Sequence, residues 1–320
     1  MTLATVDNPW LLILAGALGI GLLFGLVAAA TRYCNMGAVS DWVLTGDMGR
    51  MRAWLLSIAV AIAAVGAFEL LGAIDLDQTR VNYRAADFPW LRYLLGGTMF
   101  GIGMVLAGGC TTKTLVNIGQ GDLKSLWAYA VVGLTALVLL NWPTARLFID
   151  QGLAWPGLSL ASLGIDHQDA GGIAAGITSL DHAYLRPVMA SLLATGLFVW
   201  LWRLDHARRM RPADLAGGIG IGMIIVLGWL WTGSSTGQAL MNEAALAFDP
   251  PRGTGTQSLS FVGPAAESLR LAADPKLALA TFGVVAMLGV ILGAGLWFAA
   301  RQQFRVQGFG SWSQFGTYTA

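Results

Sequence analysis

Charged residues are scarce in this sequence. Asp, Glu, Lys and Arg together make up 12% of its 320 residues, about half of the roughly 25% that soluble domains carry. The net charge is only +1, so there is no electrostatic reason to expect nucleic-acid binding. Hydrophobic residues account for 56% of the chain, and this composition favours a membrane protein over a soluble one.

Cysteine and histidine are scarcer still. The two cysteines, Cys34 and Cys110, are far apart and form no CxxC pair, which excludes a disulfide framework. The three histidines, His167, His182 and His206, lie in polar stretches between apolar runs. We therefore expect no metal site, no cofactor and no catalytic residue, and we expect the protein not to be an enzyme.

Long apolar runs, by contrast, are abundant. A helix needs about 20 apolar residues to cross a bilayer, and helices are the form that satisfies the backbone in lipid. Seven runs approach or exceed this length: Trp10–Ala30, Ala53–Leu71, Tyr93–Gly109, Ser125–Ala145, Pro187–Trp202, Leu215–Met241 and Leu277–Ala300. The sequence therefore predicts an all-α polytopic integral membrane protein with about seven spanning helices, and the sixth run is long enough to break at 232–235.

The positive charges predict an orientation. With the N-terminus outside and one crossing per run, 11 of the 19 basic residues fall in inside segments, together with five acidic ones. A short inside loop carries four arginines: Arg203, Arg208, Arg209 and Arg211. We expect the N-terminus outside and the C-terminus in the cytoplasm.

Two stretches are too apolar for ordinary loops and too short to cross a membrane. Tyr33–Leu44 and Cys110–Ile118 each follow a predicted span and precede a charged turn. Irregular or half-helical backbone is tolerated at membrane depth where it lines a cavity, so both stretches are candidates for re-entrant segments. The alternative is an interfacial loop with a few apolar side chains.

The two cysteines occupy matched places in an internal repeat. Phe24–Gly25 and Phe100–Gly101 each end nine residues before a cysteine, Cys34 or Cys110. Gly-Asp pairs follow the cysteines at similar spacings. We therefore expect one transmembrane domain over 1–320, with repeat units 10–75 and 90–147 and a second half over 186–320.

A weaker third copy of the pattern lies in the second half of the chain. Gly220–Met223 has the sequence Gly-Ile-Gly-Met, as does Gly101–Met104. By this alignment Trp229 occupies the position of Cys110.

The matched positions of Cys34 and Cys110 favour a role in function over simple apolar filling. A thiol can donate a weak S–H hydrogen bond to an anion, exchange sulfur, or form a reversible disulfide. The sequence alone leaves these three roles open.

Positive charge and hydroxyl groups lie beside both thiols. Arg32 precedes Cys34 by two residues, and Lys113 follows Cys110 by three. A helix that starts at Thr111–Thr112 would add free backbone N–H groups and two hydroxyls, which are usual parts of an anion site. The competing explanation for Arg32 and Lys113 is simple charge anchoring at the inner face, and both explanations can hold together.

Three segments resemble the YeeE/YedE family of sulfur-transport proteins. Gly108–Ser125 is similar to the family's signature around a cysteine, and Phe24–Gly25 with Arg32–Ala38 is similar to its first cysteine motif. Ser258–Pro264 is in keeping with the family as well, in a stretch (Asn242–Pro264) that we interpret as a lid or entrance loop.

The resemblance implies a bacterial inner-membrane protein with about nine helices and re-entrant elements. It further implies that thiosulfate, or a related sulfur or selenium compound, passes Cys34 and Cys110 in a narrow path by S–H hydrogen bonds. Arg32, Thr111, Thr112 and Lys113 would bind the anion there. Besides the anion and membrane lipid, a small cytosolic sulfur-carrier protein is an expected partner. The family's third cysteine motif belongs to a final glycine-rich segment, which we expect this sequence to lack.

Three functions follow as hypotheses. The first is a transporter or channel for thiosulfate-like anions, which the repeated cysteines beside basic residues favour. The second is a membrane thiol oxidoreductase in which Cys34 and Cys110 form a reversible disulfide. The third is a scaffold that delivers sulfur to a partner without moving it across the membrane.

Overall fold

The computed structural model describes residues 8–77, 79–80, 84–147, 157–178, 180–203, 210–246 and 253–309. Helices dominate these ranges, with two short 3₁₀ helices (Leu160–Leu163 and Leu277–Leu279) and one two-stranded antiparallel ribbon. The elements in chain order are α1 (Pro9–Thr31), α2 (Asn35–Thr45), α3 (Gly49–Leu70), β1 (Asp87–Phe88), α4 (Trp90–Leu106), α5 (Thr111–Gln120), α6 (Leu123–Asn141), α7 (Pro143–Leu147), β2 (Leu158–Ser159), α8 (Ala170–Thr178), α9 (His182–Arg203), α10 (Pro212–Gly233), α11 (Ser235–Leu246), α12 (Val262–Ala273) and α13 (Phe282–Ala300).

Within the described ranges, seven helical segments are long and apolar enough to cross a membrane. They contain α1, α3, α4, α6, α9, α10 and α13, and they coincide with the seven apolar runs. The first and third segments also include the short helices α2 and α5. The prediction of an all-α, multi-pass membrane protein is therefore confirmed.

Helices α1 and α13 form the centre of the fold and approach each other at the backbone. An added Cβ at Gly21 would collide with the carbonyl oxygen of Ala286, and one at Gly25 with that of Val290. Residue numbers rise together along both helices, so α1 and α13 run parallel. Apolar burial drives little helix association in lipid, and small residues that let backbones approach are the usual substitute.

The other long helices pack around this pair. Helix α10 runs antiparallel to α1, where the Trp231 indole N–H donates to the Ile13 carbonyl oxygen at 3.3 Å. The same helix runs parallel to α3, and Gly222 leaves space for the carbonyl oxygen of Ser57. The side chains of α4 are nearly all exposed, and most of those of α9 are exposed as well, although Ala194 and the Arg186 side chain are largely buried. Their apolar surfaces are suited to contact with lipid.

The sixth apolar run breaks where the sequence indicates, but Trp229 does not mark the break. Helix α10 continues through Trp229 and ends at Gly233, and α11 begins one residue after Ser234. The Ser234 hydroxyl oxygen accepts the N–H of Gly237 at 3.4 Å, so serine caps this short helix. The alignment of Trp229 with Cys110 is therefore wrong. The Gly-Ile-Gly-Met pattern describes the spacing of glycines along a helix and does not predict where the helix ends. The break follows from the Gly-Ser-Ser sequence at 233–235.

Other boundaries move by a few residues. The seventh span begins at Phe282, because Leu277–Leu279 forms a 3₁₀ turn and the Thr281 hydroxyl caps the following helix. The stretch Asn242–Pro264 is not a single loop, since its ends belong to α11 and α12. Pro250, Pro251, Arg208 and Arg209 lie outside the described residues.

An ion network joins the end of α3 to the segments that follow it. Glu69 is the one carboxylate within the seven apolar runs of the sequence, and it binds Arg84 through both oxygens at 2.7 and 2.9 Å. Arg84 and Arg186 both contact Asp77, at 3.1 and 2.9 Å. Partial burial alone would raise the pKa of Asp77, but these two guanidinium groups lower it below its usual value. Glu69 therefore has a structural partner.

The close approach of α1 and α13 gives a test of the fold. We expect Gly25→Ala to destabilise the protein by roughly 1–3 kcal/mol, because the methyl group meets backbone rather than a movable side chain. Thermal unfolding in detergent measures the effect. Gly101→Ala in α4 is the matched control, since its methyl group meets no atom within 4 Å and alanine favours a helix. Equal melting temperatures for the two variants would contradict the α1–α13 packing.

Candidate functional site

The two cysteines each begin a short helix. Cys34 has extended backbone and precedes α2, and its sulfur accepts the N–H of Gly37 at 3.3 Å. Cys110 has extended backbone and precedes α5. No backbone amide of α5 is capped by the Cys110 sulfur, and this sulfur lies 3.9 Å from that of Cys34 at the start of α2. The N-termini of α2 and α5 therefore meet at the thiols.

The two thiols are in contact. The sulfurs of Cys34 and Cys110 lie 3.9 Å apart, although 76 positions separate them in the sequence. Both side chains are buried and free, with 7% and 3% of their surface exposed. This separation is well beyond the roughly 2.05 Å of a disulfide and suits an S–H···S hydrogen bond.

The local sequence explains why the chain turns at these two places. The residue two positions before each cysteine has left-handed backbone: Arg32 with φ 55° and Gly108 with φ 70°. A left-handed residue ends a helix and changes the direction of the chain. Glycine adopts this conformation freely, whereas at Arg32 it costs on the order of 1 kcal/mol.

The short helices also end alike. Each is followed by a left-handed glycine, Gly46 after α2 and Gly121 after α5. The next residue is Asp47 or Asp122, and a long helix follows. These matched conformations support the repeat units 10–75 and 90–147, which stay a prediction, as does the re-entrant character of α2 and α5.

A cavity of about 410 Å³ lies against the start of both short helices, and we call it the Thr111 cavity. One wall is apolar and includes the Phe24 and Phe261 rings, which meet edge to face with centroids 5.6 Å apart. The other wall carries polar groups from several helices. They are Tyr33, Asn35, Ser57, Thr111, Thr112 and Ser260. The sequence prediction thus found both threonines but missed the other four polar residues: Tyr33, Asn35, Ser57 and Ser260.

A larger cavity of about 680 Å³ shares Leu259 and Ser260 with the Thr111 cavity. It contains Arg80 and Arg270, and we call it the Arg270 cavity. Glu267 binds Arg80 at 2.6 Å and also accepts the Thr281 hydroxyl at 2.6 Å. Because Thr281 caps α13, this cavity lies at the beginning of that helix.

The third cavity, of about 560 Å³, lies at the other end of α13, and we call it the Arg301 cavity. Cys34 lines it, and so do four cations: Arg32, Arg50, Lys113 and Arg301. Its described lining includes no carboxylate. The structure therefore places Arg32 and Lys113, which the sequence put beside the cysteines, in one positively charged chamber.

Three of these cations have contacts that orient them. The Arg50 guanidinium binds Asp41 at 2.6 and 2.8 Å, and the Lys113 ammonium donates to the Gly108 carbonyl oxygen at 2.9 Å. The Arg301 guanidinium lies over the Trp297 ring, 4.6 Å from its centroid. Before the structure, Arg301 stood out only as a positive charge at a helix end.

The described segment before α12 runs into the protein, and its role as a lid or entrance loop stays a prediction. The Gln257 carbonyl oxygen accepts the Thr232 hydroxyl at 2.6 Å, and the Ser258 hydroxyl donates to the Ile225 carbonyl oxygen at 2.7 Å. At its inner end the Phe261 carbonyl oxygen accepts the Tyr129 hydroxyl at 2.6 Å. These bonds hold Ser260 between the Thr111 and Arg270 cavities.

Among the described residues, no group of three or more His, Cys, Asp or Glu side chains has the geometry to hold a metal ion. His167 and His182 lie close together, with ring centroids 5.5 Å apart. His206 lies outside the described residues.

The contact between the thiols can be tested by oxidation. Mild oxidation with copper phenanthroline in air should join Cys34 to Cys110, because side-chain rotation can close most of the gap between sulfurs 3.9 Å apart. Alkylation and intact mass should show that both free thiols disappear together. Cys34→Ser and Cys110→Ser variants are the controls, and each should keep its remaining thiol. Retention of both thiols in the native chain would contradict the geometry.

Comparison with known proteins identifies the family of the chain. The family model described as sulphur transport matches residues 30–320. The thiosulfate transporter TsuA of Escherichia coli K12 is 28% identical over 92% of this chain and 77% of its own length. The thiosulfate transporter TsuA of Spirochaeta thermophila is 26% identical over 57% of this chain, a match that spans about half, 52%, of that relative. The probable transporter YedE of Escherichia coli K12 is 28% identical over 42% of this chain and 31% of its own length. The resemblance inferred from the cysteine motifs is therefore confirmed, and the chain belongs to the sulphur transport family.

Proposed function

We propose that this protein carries thiosulfate, or a related small sulfur-containing anion, across the membrane along a path past Cys34 and Cys110. The observation that carries the proposal is the position of the thiol pair. Cavities containing arginine side chains lie at both ends of α13, and the two buried thiols lie between them. The relatives named as thiosulfate transporters support the choice of substrate.

Capture begins in the Arg270 cavity. Arg80 is held by Glu267 at 2.6 Å and by the Gln257 side chain at 3.2 Å. Arg270 contacts the Asn141 side-chain oxygen. Positive charge in a concave, low-dielectric site raises the local concentration of anions. The anion then passes the hydroxyl of Ser260, which lines both cavities, and enters the Thr111 cavity.

Transfer takes place at the start of α2 and α5. The N-terminal ends of two helices favour negative charge, and their free N–H groups bind anions without a cationic side chain in the path. The Cys34 and Cys110 thiols add weak S–H donors. Weak donors bind an anion loosely and release it quickly. A series of weak sites therefore favours passage of the anion over trapping.

Release takes place in the Arg301 cavity, where four cations face a lining without described carboxylates. In the orientation that the positive charges predict, this cavity opens to the cytoplasm of a bacterial cell and the Arg270 cavity to the outside. A small cytosolic sulfur-carrier protein would collect the anion at the Arg301 side. The inner membrane, the orientation and the carrier are parts of this proposal.

The cysteines give the first test of transport. Uptake of labelled thiosulfate into proteoliposomes should fall at least tenfold in Cys110→Ala and in Cys34→Ala. Each variant removes a hydrogen bond at the narrowest point and exposes the anion to an apolar methyl group. Ser234→Ala, which removes the cap of a third short helix away from the cavities, should transport normally.

Two results would contradict the relay. Normal uptake by folded Cys110→Ala would remove the thiol from the path. A Cys34–Cys110 disulfide that turns over with quinone while the native chain takes up no thiosulfate would favour the oxidoreductase hypothesis.

The arginines give a second test. Arg270→Gln should raise the KM for thiosulfate roughly tenfold and leave the maximal rate within about twofold, because it weakens a charge-assisted contact during capture. Lys276→Gln is the matched control. It removes one positive charge near the same end of α12, but its ammonium pairs with Asp274 at 2.7 Å outside the cavity lining. Equal KM values for both variants would show that general surface charge, and not the cavity, attracts the anion.

A further inference from the structure

We propose that Tyr33 and Ser57 form a gate between the Thr111 cavity and Cys34, and that the passing anion opens it by accepting the Tyr33 hydroxyl. This inference rests on the proposed transport function. It assigns a binding and positioning role to two residues outside both cysteine positions.

Tyr33 is placed where the path must narrow. It is the one described residue that lines both the Thr111 cavity and the Arg301 cavity. Cys34 lines only the Arg301 cavity, although it follows Tyr33 directly in the sequence. An anion in the Thr111 cavity therefore meets the Tyr33 side chain before it reaches the Cys34 sulfur.

A backbone hydrogen bond fixes the position of Tyr33 in the turn after α1. The Tyr33 N–H donates to the Ala28 carbonyl oxygen at 3.1 Å, across the left-handed Arg32 that ends α1. The Tyr33 ring packs against the apolar core of the protein. Its partner, Ser57, belongs to α3, and only 1% of the Ser57 surface is exposed. The gate thus joins a turn to a spanning helix.

The hydrogen bonds of Ser57 show which of the two hydroxyl groups is the donor. The Tyr33 and Ser57 hydroxyl oxygens are 2.6 Å apart, and the Ser57 hydroxyl donates to the Trp54 carbonyl oxygen at 2.7 Å. A serine hydroxyl has one proton. Because Ser57 gives that proton to Trp54, Tyr33 is the donor to Ser57.

This arrangement makes the gate easy to open. When Tyr33 leaves, Ser57 keeps its bond to Trp54, so the Ser57 hydroxyl proton keeps its partner. The only loss is one bond between neutral groups. An anion is a stronger acceptor than a serine hydroxyl, since hydrogen bonds to charged groups are roughly twice as strong. The anion therefore exchanges places with Ser57, and the Tyr33 donor moves with the opening ring.

Selectivity follows from the same exchange. A neutral solute or water offers Tyr33 no charge-assisted bond, so the closed state persists in its presence. The gate favours small oxyanions that fit a cavity of about 410 Å³ and reach the hydroxyl groups of Thr111 and Thr112.

The test measures the accessibility of Cys34 from each face of the membrane. A Cys110→Ser background leaves one thiol, and trimethylammonioethyl methanethiosulfonate, which cannot cross the membrane or accept a hydrogen bond from Tyr33 through its charged group, modifies it. Tyr33→Phe and Ser57→Ala should each raise the modification rate about fivefold from the face of the Thr111 cavity, which corresponds to the loss of one neutral hydrogen bond. From the face of the Arg301 cavity the rate should not change. Tyr93→Phe is the control, because it removes an exposed tyrosine hydroxyl that contacts Gln168 at 3.3 Å.

Uptake with both cysteines present separates the two roles of Tyr33. Ser57→Ala removes the closing contact but keeps the donor, so thiosulfate uptake should be equal to or faster than native. Tyr33→Phe removes the donor as well, so uptake should fall several-fold although Cys34 is more accessible.

Two outcomes would overturn the gate. Equal modification rates in the native chain and both variants would show that Tyr33 does not close the path. Rates that rise equally from both faces would show a merely structural role, in which the substitutions loosen the fold. Modification of Cys34 does not require transport. If the native chain takes up no thiosulfate while the modification rates follow the expected pattern, the transport proposal fails and the gate stands.

Discussion

The structure depends on the rule that backbone N–H and C=O groups cannot remain unpaired inside a membrane. A helix that stops at membrane depth leaves free N–H groups where the next helix begins, and something must bind them. Here two helix beginnings face each other, at α2 and α5, and the cysteine sulfurs lie at the junction. The free N–H groups at these helix starts need hydrogen-bond acceptors, and an anion can serve as one. The same requirement therefore accounts for the packing at this junction and for the proposed anion path.

Positive charge lies on either side of the Thr111 cavity. The cations line the Arg270 cavity and, together with Cys34, the Arg301 cavity, whereas the Thr111 cavity between them is lined by hydroxyl, amide and aromatic groups. Weak donors at the centre and full charges at the ends suit conduction, which requires easy entry and easy exit. The glycine contacts of α1 with α13 support this arrangement by holding the central helices rigidly together.

Much of the fold could be predicted from the sequence because each membrane span is a continuous run of apolar residues. All seven spans and the helix start at Thr111 were predicted, and so was the break after α10. The position of Trp229 was misjudged, since a glycine pattern reports which face of a helix is small and not where the helix ends. The stretch Asn242–Pro264 was interpreted as a loop because its residues are polar. The hydrogen bonds to α10 that place Ser260 inside the protein cannot be read from the sequence.

The sequence by itself determined the membrane class, the number of spans, and the identity of Cys34, Cys110, Arg32, Thr111, Thr112 and Lys113 as candidates. These follow from apolar length, spacing and neighbouring charge, all of which are local properties. Only the tertiary structure decided that the two sulfurs touch, that Arg301 joins Arg32 and Lys113, and that Tyr33 meets Ser57 between two cavities. Those contacts join residues on different helices, and packing between helices sets them, which no local pattern records.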